Sequence, residues 1–370
     1  MKNGFHATLI ASGLTLALIA PAFAQGAPGS GAGAASRPAQ QFPIPRGVLG
    51  GVPMTAADSA LKMVVDRLDF ESYKSIIKGL AAFGDREQGT ERNAKAVDWI
   101  EQQLRGWGYT TERVKYDYTP RNGTASSREE VFATKVGSTA PQEMYIISGH
   151  MDGRGGGEAV NDDASGTALV MEIARVLASA DVKTGRTIRF ALWNNEETGL
   201  DGARAYIAQR SALQGVESPA RSGKYPEPKW LGVIQHDMMM WDHGNPVQWQ
   251  QTMDADVDIE FQLSSKMADA SAALALALLN ANRMFATDYP AAMSNAMSNT
   301  DSAPFQDLTA AISLRENRRL YETGRGANPT WHEKSDNFAT FSDADFRLGF
   351  NAAQTTLAGV ARLAGVQVVK

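Results

Sequence analysis

Residues 144–177 read MYIISGHMDGRGGGEAVNDDASGTALVMEIARVL, and residues 187–197 read TIRFALWNNEE. Met144 to Ser148 and Thr187 to Trp193 are dense apolar runs, the pattern of central strands buried on both faces. Between them Leu169, Ile173, Val176 and Leu177 share one stripe of a helix that opens just after Asp163. Strand, helix and strand in that order predict a βαβ unit, and so a mostly parallel sheet. His150-Met151-Asp152, Asn161-Asp162-Asp163 and Glu196-Glu197 each stand where a strand ends or a helix begins. In an α/β sheet that edge is where ligands bind.

The pattern extends in both directions. On the C-terminal side, Trp230 to Gln235 reads as a strand leading into His236-Asp237, and Val257 to Leu263 alternates as another. An Ala/Leu-rich helix is expected from about Ser265 to Asn282, then a strand over Thr309 to Leu314. A closing helix carries Phe346, Phe350, Ala353, Leu357 and Val360 on one stripe. On the N-terminal side, residues 109–117 and 129–136 read as a β-ribbon joined by the polar turn Arg121-Asn122-Gly123. Helical spacing marks Val97, Ile100 and Leu104, and earlier Leu61, Val64, Val65 and Leu68. With no internal repeat and no inserted domain, the expected fold is α/β, one globular domain over residues 56–370. Its central sheet should be mixed but mostly parallel, with helices on both faces.

The first 24 residues read as a secretory signal peptide. Lys2 gives a short positive start, Leu9 to Ala20 an apolar run too short to span a bilayer comfortably, and Ala22-Phe23-Ala24 a small-x-small cleavage site. Residues 25–55 are rich in Gly, Ala and Pro and read as a flexible arm. The expectation is an exported protein, periplasmic or secreted, with no membrane span once the signal is removed. Cysteine is absent, so a hydrophobic core and bound metal must do what disulfides do in many exported proteins. A net charge of -5 and the lack of any polybasic stretch argue against a nucleic-acid partner. Nothing in the sequence sets an oligomeric state.

Histidine is scarce enough to examine singly. Of the five, His6 leaves with the signal peptide, while His150 and His332 lie beside acidic residues. His236 adjoins Asp237, but neighbouring residues of a strand face opposite sides, so only one reaches the sheet edge, and Asp237 is the expected one. His243 reads as a polar core or surface residue. Divalent zinc takes imidazole and carboxylate ligands, and a hydrolytic metal pair needs such groups on each ion with a carboxylate able to bridge them. Taken without the histidines, the acids also suit plainer roles: Asp162-Asp163 could cap the following helix, and Glu196-Glu197 could complement a helix dipole. Asp163 is expected to be a cap.

Taken together, the segments resemble peptidase family M28, zinc aminopeptidases and related exopeptidases. The resemblance lies in Ser148-Gly149-His150-Met151-Asp152, in Asn161-Asp162-Asp163-Ala164-Ser165-Gly166, and in the run from Trp193 through Glu196-Glu197 to Ala203. His236-Asp237-Met238 and His332 complete it, in the family's order and spacing. Gly84-Asp85-Arg86-Glu87-Gln88-Gly89-Thr90 resembles the family's start. The resemblance implies two Zn2+ ions: His150 and Asp237 on one, Glu197 and His332 on the other, with Asp162 bridging. It implies further that Glu196 is the general base and that peptides are trimmed from one end, most simply the amino end. Asp152 is expected to accept a hydrogen bond from the His150 ring and fix its tautomer, and Asp336 to do the same near His332.

Two segments depart from the family pattern. Trp331 stands where some members have a tyrosine, a role that Tyr321 or Asn328 could take over. Asn299-Thr300-Asp301-Ser302-Ala303-Pro304-Phe305 lacks a histidine that the family tends to show there. The rival functions are a carboxypeptidase or dipeptidase of the same family, a one-zinc glutaminyl cyclase, and a non-catalytic binding relative.

Overall fold

A computed structural model describes residues 54–121, 123–242, 257–295, 297, 299–316 and 328–369. The expected signal peptide, all but the end of the 25–55 arm, Asn122, His243 and Tyr321 lie outside the described residues. Eight strands form the main sheet: β1 (Thr111–Tyr118), β2 (Ser126–Lys135), β3 (Ala140–His150), β5 (Arg186–Trp193), β6 (Lys229–His236), β7 (Val257–Phe261), β8 (Ala291–Ser294) and β9 (Ala311–Arg315). A separate two-stranded ribbon pairs β4 (Val182–Lys183) with β10 (Gln367–Val368).

The order across the main sheet is β1-β2-β5-β3-β6-β9-β7-β8. Strands β5, β3, β6 and β9 run parallel, while β1, β2 and β5 are antiparallel neighbours and β7 runs antiparallel to β9. The sheet is therefore mixed with a parallel centre, as expected. Register sets where the loops emerge: His150 lies opposite Trp193, Gly149 opposite His236, and His236 opposite Leu314. The four parallel strands end level with one another, so the residues that follow them gather at a single edge.

Alternation along the strands divides the core. Ile147, Ile188, Phe190, Leu192 and Ile234 pack on one side, under the helices α1 (Ala56–Val65), α2 (Phe70–Ala81), α3 (Glu91–Gly106), α4 (Ser165–Leu177), α6 (Ala268–Phe285) and α7 (Asp343–Leu363). Met144, Ile146, Ala191, Trp193 and Val233 face the other side, against Ala203 and Tyr206 of α5 (Asp201–Arg210). Helices α2 and α5 and strand β8 are additions to the sequence expectation. Tyr73, Ile76, Ile77 and Leu80 do recur in α2 at helical spacing, whereas α5 buries only Gly202, Ala203 and Tyr206. Helix starts carry the chemistry that favours them: Thr55 with Asp58 and Ser342 with Asp345 form capping boxes, and Asp69 and Thr90 accept from amides of the first turn.

Helix α4 lies directly against β3 because both elements present glycine at the crossing. A Cβ on Gly149 would stand 2.8 Å from the Gly166 carbonyl carbon and 2.9 Å from the Thr167 nitrogen. The closeness lets Thr167 Oγ1 donate to the His150 carbonyl at 2.7 Å. Gly149→Ala should force strand and helix apart and lower stability by about 1–3 kcal/mol, several degrees in a thermal melt. Gly106→Ala is the matched control, since a Cβ there meets nothing within 4 Å and should leave the midpoint unchanged or raised.

Candidate metal centre

Five segments far apart in the chain converge at the edge where the parallel strands end. His150 closes β3, Asp162 lies with extended, non-helical backbone in the irregular turn Val160–Ala164 ahead of α4, and Glu196 and Glu197 open the 3-10 turn that follows β5. Asp237 follows β6, and His332 comes from the loop ahead of α7. His150 Nε2 is 3.2 Å from Asp162 Oδ1 and 3.8 Å from Asp237 Oδ1. His332 Nε2 is 3.1 Å from Asp162 Oδ2 and 2.9 Å from Glu197 Oε2. The two oxygens of Asp162 are thus divided between the two imidazoles.

Ligand atoms of His150, Glu196 and Asp237 lie within 4.8 Å of one another, and so do those of Asp162, Glu197 and His332. Glu196 stands in the first group, within reach of whatever His150 and Asp237 hold. His150 Nδ1 is 3.0 Å from the Asp152 main-chain carbonyl, which can only accept, so Nδ1 carries a proton. In the neutral ring Nε2 is then a lone pair, buried, without a hydrogen-bond partner, and facing carboxylate oxygens. Lone pairs and anions converging from several sides fit a cation between them, and imidazole with carboxylate is the donor set zinc takes.

The remaining predicted residues surround these groups, some of them in ways the sequence did not indicate. Asp152 holds His150 through its backbone oxygen, while its carboxylate Oδ1 is 3.6 Å from Nδ1. That carboxylate instead accepts from the amides of Glu196 and Glu197, at 3.2 and 3.4 Å. Asp336 accepts from the amides of Val160, Asn161 and Asp162, so it shapes the turn bearing Asp162 instead of serving the His332 ring. Asp163 does accept from Gly166 in the first turn of α4, but also from the amides of His150 and Met238. It ties strand end to helix start, which is more than a cap. His236 points into the core, bonding the Ser148 carbonyl and Thr356 Oγ1, and burial pulls its pKa down to about 4.

Asn328, considered in place of the family's tyrosine, is occupied with Glu316 and Thr330. Trp331 is 40% exposed, its ring 4.5 Å from that of His332. The 299–305 segment brings Asp301, fully buried, whose oxygens meet no hydrogen-bond donor among the described residues. Sequence reasoning missed Arg315 and Glu316. Arg315 pairs with Asp237 Oδ2 at 2.9 Å and with Glu260 at 3.2 Å. Glu316 accepts from Asn161 Nδ2 and the Trp241 amide. The available signal was an adjacent Arg and Glu closing an apolar strand, just past the point where the strand was expected to end.

Charge in this region is out of balance. Burial raises the Glu196 carboxyl to about 8, with Asp237, Asp162 and Glu197 adding to the shift, and raises Glu197 to about 7, with Asp162 adding. Burial likewise holds Asp301 well above the ordinary carboxylate range. Burial opposes the charged form of His332, but Asp162 and Glu197 outweigh it and bring the imidazole to about 9. For Asp237, burial is outweighed by Arg315 and His150, and its pKa falls to about 2. Acids that resist ionisation beside His332, an imidazole that holds its proton, describe a pocket short of positive charge. The backbone is strained in the same region: Arg86, Ala159, Asn195, Leu200, Met238 and His332 all adopt positive φ without being glycine.

A sequence model of Peptidase family M28 matches residues 130–355. A protein of Leptosphaeria maculans named "Probable zinc metalloprotease" is 31% identical over 180 residues, which is 43% of this chain and 41% of that one. The match therefore spans about two fifths of that relative's length. Among solved structures, an aminopeptidase from Aneurinibacillus sp. strain AM-1 superposes with a TM-score of 0.59 at 16% identity, over 82% of this chain and 96% of the other. A glutaminyl cyclase of Porphyromonas gingivalis superposes with 0.56 at 17% identity, over 81% and 99%. At such identities these likenesses speak for the fold.

The divided carboxylate of Asp162 leads to a measurable expectation. Asp162→Asn should weaken binding of divalent zinc at both groups, by about 10- to 100-fold each if the loss resembles that for other residues supporting a metal site. Competition with a chromophoric chelator reads this directly. Loss at one group alone would show that Asp162 serves only one.

Proposed function

The chain belongs to peptidase family M28, and from that premise we propose that it is a zinc-dependent exopeptidase, acting as an aminopeptidase on peptide substrates. The observation that carries the proposal is the Asp162 carboxylate shared between His150 and His332, with Glu196 beside the pair. In this proposal His150 and Asp237 hold one zinc, Glu197 and His332 the second, and Asp162 both. Zinc, when bound, polarises the scissile carbonyl and lowers the pKa of a coordinated water from about 15.7 to about 7.

The chain's own groups do the rest. Glu196 takes the proton from the attacking water and passes it to the leaving amine. Its carboxyl is buried and lies with His150 and Asp237, where it can both accept the proton and return it. Asp152 fixes it from behind, since the Asp152 carboxylate receives the Glu196 amide while the Asp152 carbonyl orients His150. The acids beside the metals supply negative charge for a free α-ammonium group, which restricts cleavage to one residue from the end. Trp331 gives the mouth of the site an exposed aromatic wall. The proposed place of work is the periplasm or the outside of the cell, with residues 56–370 as the catalytic unit.

A second reading has its own support in the likeness to a glutaminyl cyclase, which would use one zinc and form pyroglutamate. Metal stoichiometry separates the two: two zinc ions per chain are expected, and one tightly bound ion with cyclase activity would overturn the peptidase proposal. Chain-end preference is tested with aminoacyl-nitroanilides against N-blocked peptides. Release from free amino termini is expected, whereas trimming of blocked peptides from their carboxyl ends would point to a carboxypeptidase. Glu196→Gln should keep both ions yet lose turnover by about 100- to 10,000-fold, the range for general acid–base catalysis. A variant with near-normal kcat would remove Glu196 from the mechanism.

A further inference from the structure

Arg86 is fully buried, yet its guanidinium donates only to backbone carbonyls. Nε donates to Met151 at 2.8 Å, Nη1 to Gly84 at 2.9 Å and to Glu158 at 2.7 Å, and Nη2 to Ala159 at 2.8 Å. Met151 and Glu158-Ala159 are the two ends of the loop that leads from His150-Asp152 to Asp162. A planar fork of donors in fixed geometry, clasping both ends of one loop, sets the span of that loop.

The segment around Arg86 also reaches the other acids. The Arg86 carbonyl accepts from Asn93 Nδ2 at 2.8 Å, and Asn93 exchanges two side-chain hydrogen bonds with Asn194, each at 3.0 Å. Asn194 opens the turn that bears Glu196 and Glu197. Asp85 receives the Gly156 amide at 3.0 Å, in the middle of the loop that Arg86 clasps. Residues 85–93 therefore touch both the approach to Asp162 and the approach to Glu196, although they precede the 130–355 stretch that the family model matches.

A buried guanidinium is costly unless its donors are satisfied and its charge is balanced. The carbonyls satisfy the donors. Burial lowers the pKa of Arg86, and Asp336, Asp163, Asp152 and Asp85 act against that. These acids are also the ones that receive the amides of residues 150, 156, 160–162 and 196–197.

We propose that Arg86 is a positioning residue of the metal centre: by clasping the 151–159 loop at both ends it holds His150, Asp152 and Asp162 at the spacing a divalent metal requires. The proposal rests on the zinc reading above and adds to it a segment outside the matched family region. Its test is zinc affinity, by chelator competition, together with the thermal midpoint, for wild type, Arg86→Met, Arg86→Lys and Leu61→Ala. Leu61 is a buried residue of α1 and serves as a control for general loss of stability.

Arg86→Met should bind zinc about 10- to 100-fold more weakly. Arg86→Lys, which keeps the charge but not the fork, should fall between Met and wild type. Leu61→Ala should lose midpoint while keeping its affinity within about twofold. If Arg86→Met does not fold, Arg86→Lys decides: a loss of about threefold or more at a retained midpoint supports the proposal, and an unchanged affinity overturns it. Wild-type affinity in Arg86→Met overturns it as well, as does a control whose affinity falls in step with its midpoint. A wild-type chain that binds no zinc would instead refute the metal reading itself, so the two failures are distinguishable.

Discussion

The structure depends on keeping several carboxylates close together and out of water. Asp162, Asp163, Glu196, Glu197 and Asp237 crowd the edge at which the parallel strands end. There the charges of Asp162 and Asp237 disfavour ionisation of Asp163 and Glu196, and that of Asp162 disfavours ionisation of Glu197. Among the described residues His150, His332, Arg154 and Arg315 face them, and Asp162 is shared between both imidazoles. Carboxylates in such a place are tolerable only with counter-charge, which a bound divalent cation supplies in a small volume.

Backbone amides provide the rest of the compensation. Asp163, Asp336, Asp152 and Glu316 each accept main-chain N–H groups from the loops that carry the proposed ligands. Each such acid fixes a loop while the loop's dipoles stabilise the acid, so arrangement and electrostatics are the same set of hydrogen bonds. The left-handed residues among these loops show the chain bent to bring the N–H groups round.

Much of this was legible in the sequence, for physical reasons. Strands β3, β5 and β6 show as apolar runs because both faces are buried, and the acids stand out because they interrupt those runs. Choosing Asp237 over His236 needed only strand alternation, and His236 does point into the core. The supporting contacts were less accessible, because they run through the backbone. Asp152 was expected to serve His150 with its carboxylate, but the carbonyl lies nearer, and no side-chain pattern encodes that choice. Arg315 escaped notice because its partner, Asp237, is distant in sequence and only register brings them together. Helix α5 was missed because its packing surface is little more than Gly202, Ala203 and Tyr206, too small to leave a periodic trace.

The sheet ends at β1, and that edge has a consequence beyond the site. An edge strand offers unpaired amides and carbonyls to any other extended chain, the usual route to sheet-to-sheet association. Here Glu112, Lys115 and Asp117 stand exposed along β1, and Gln209 of α5 donates to the Lys115 carbonyl at 2.8 Å. Charges on the strand and a side chain occupying its acceptor together discourage a second molecule from adding a strand. For a chain without cysteine, that blunted edge limits strand-to-strand association when molecules are crowded.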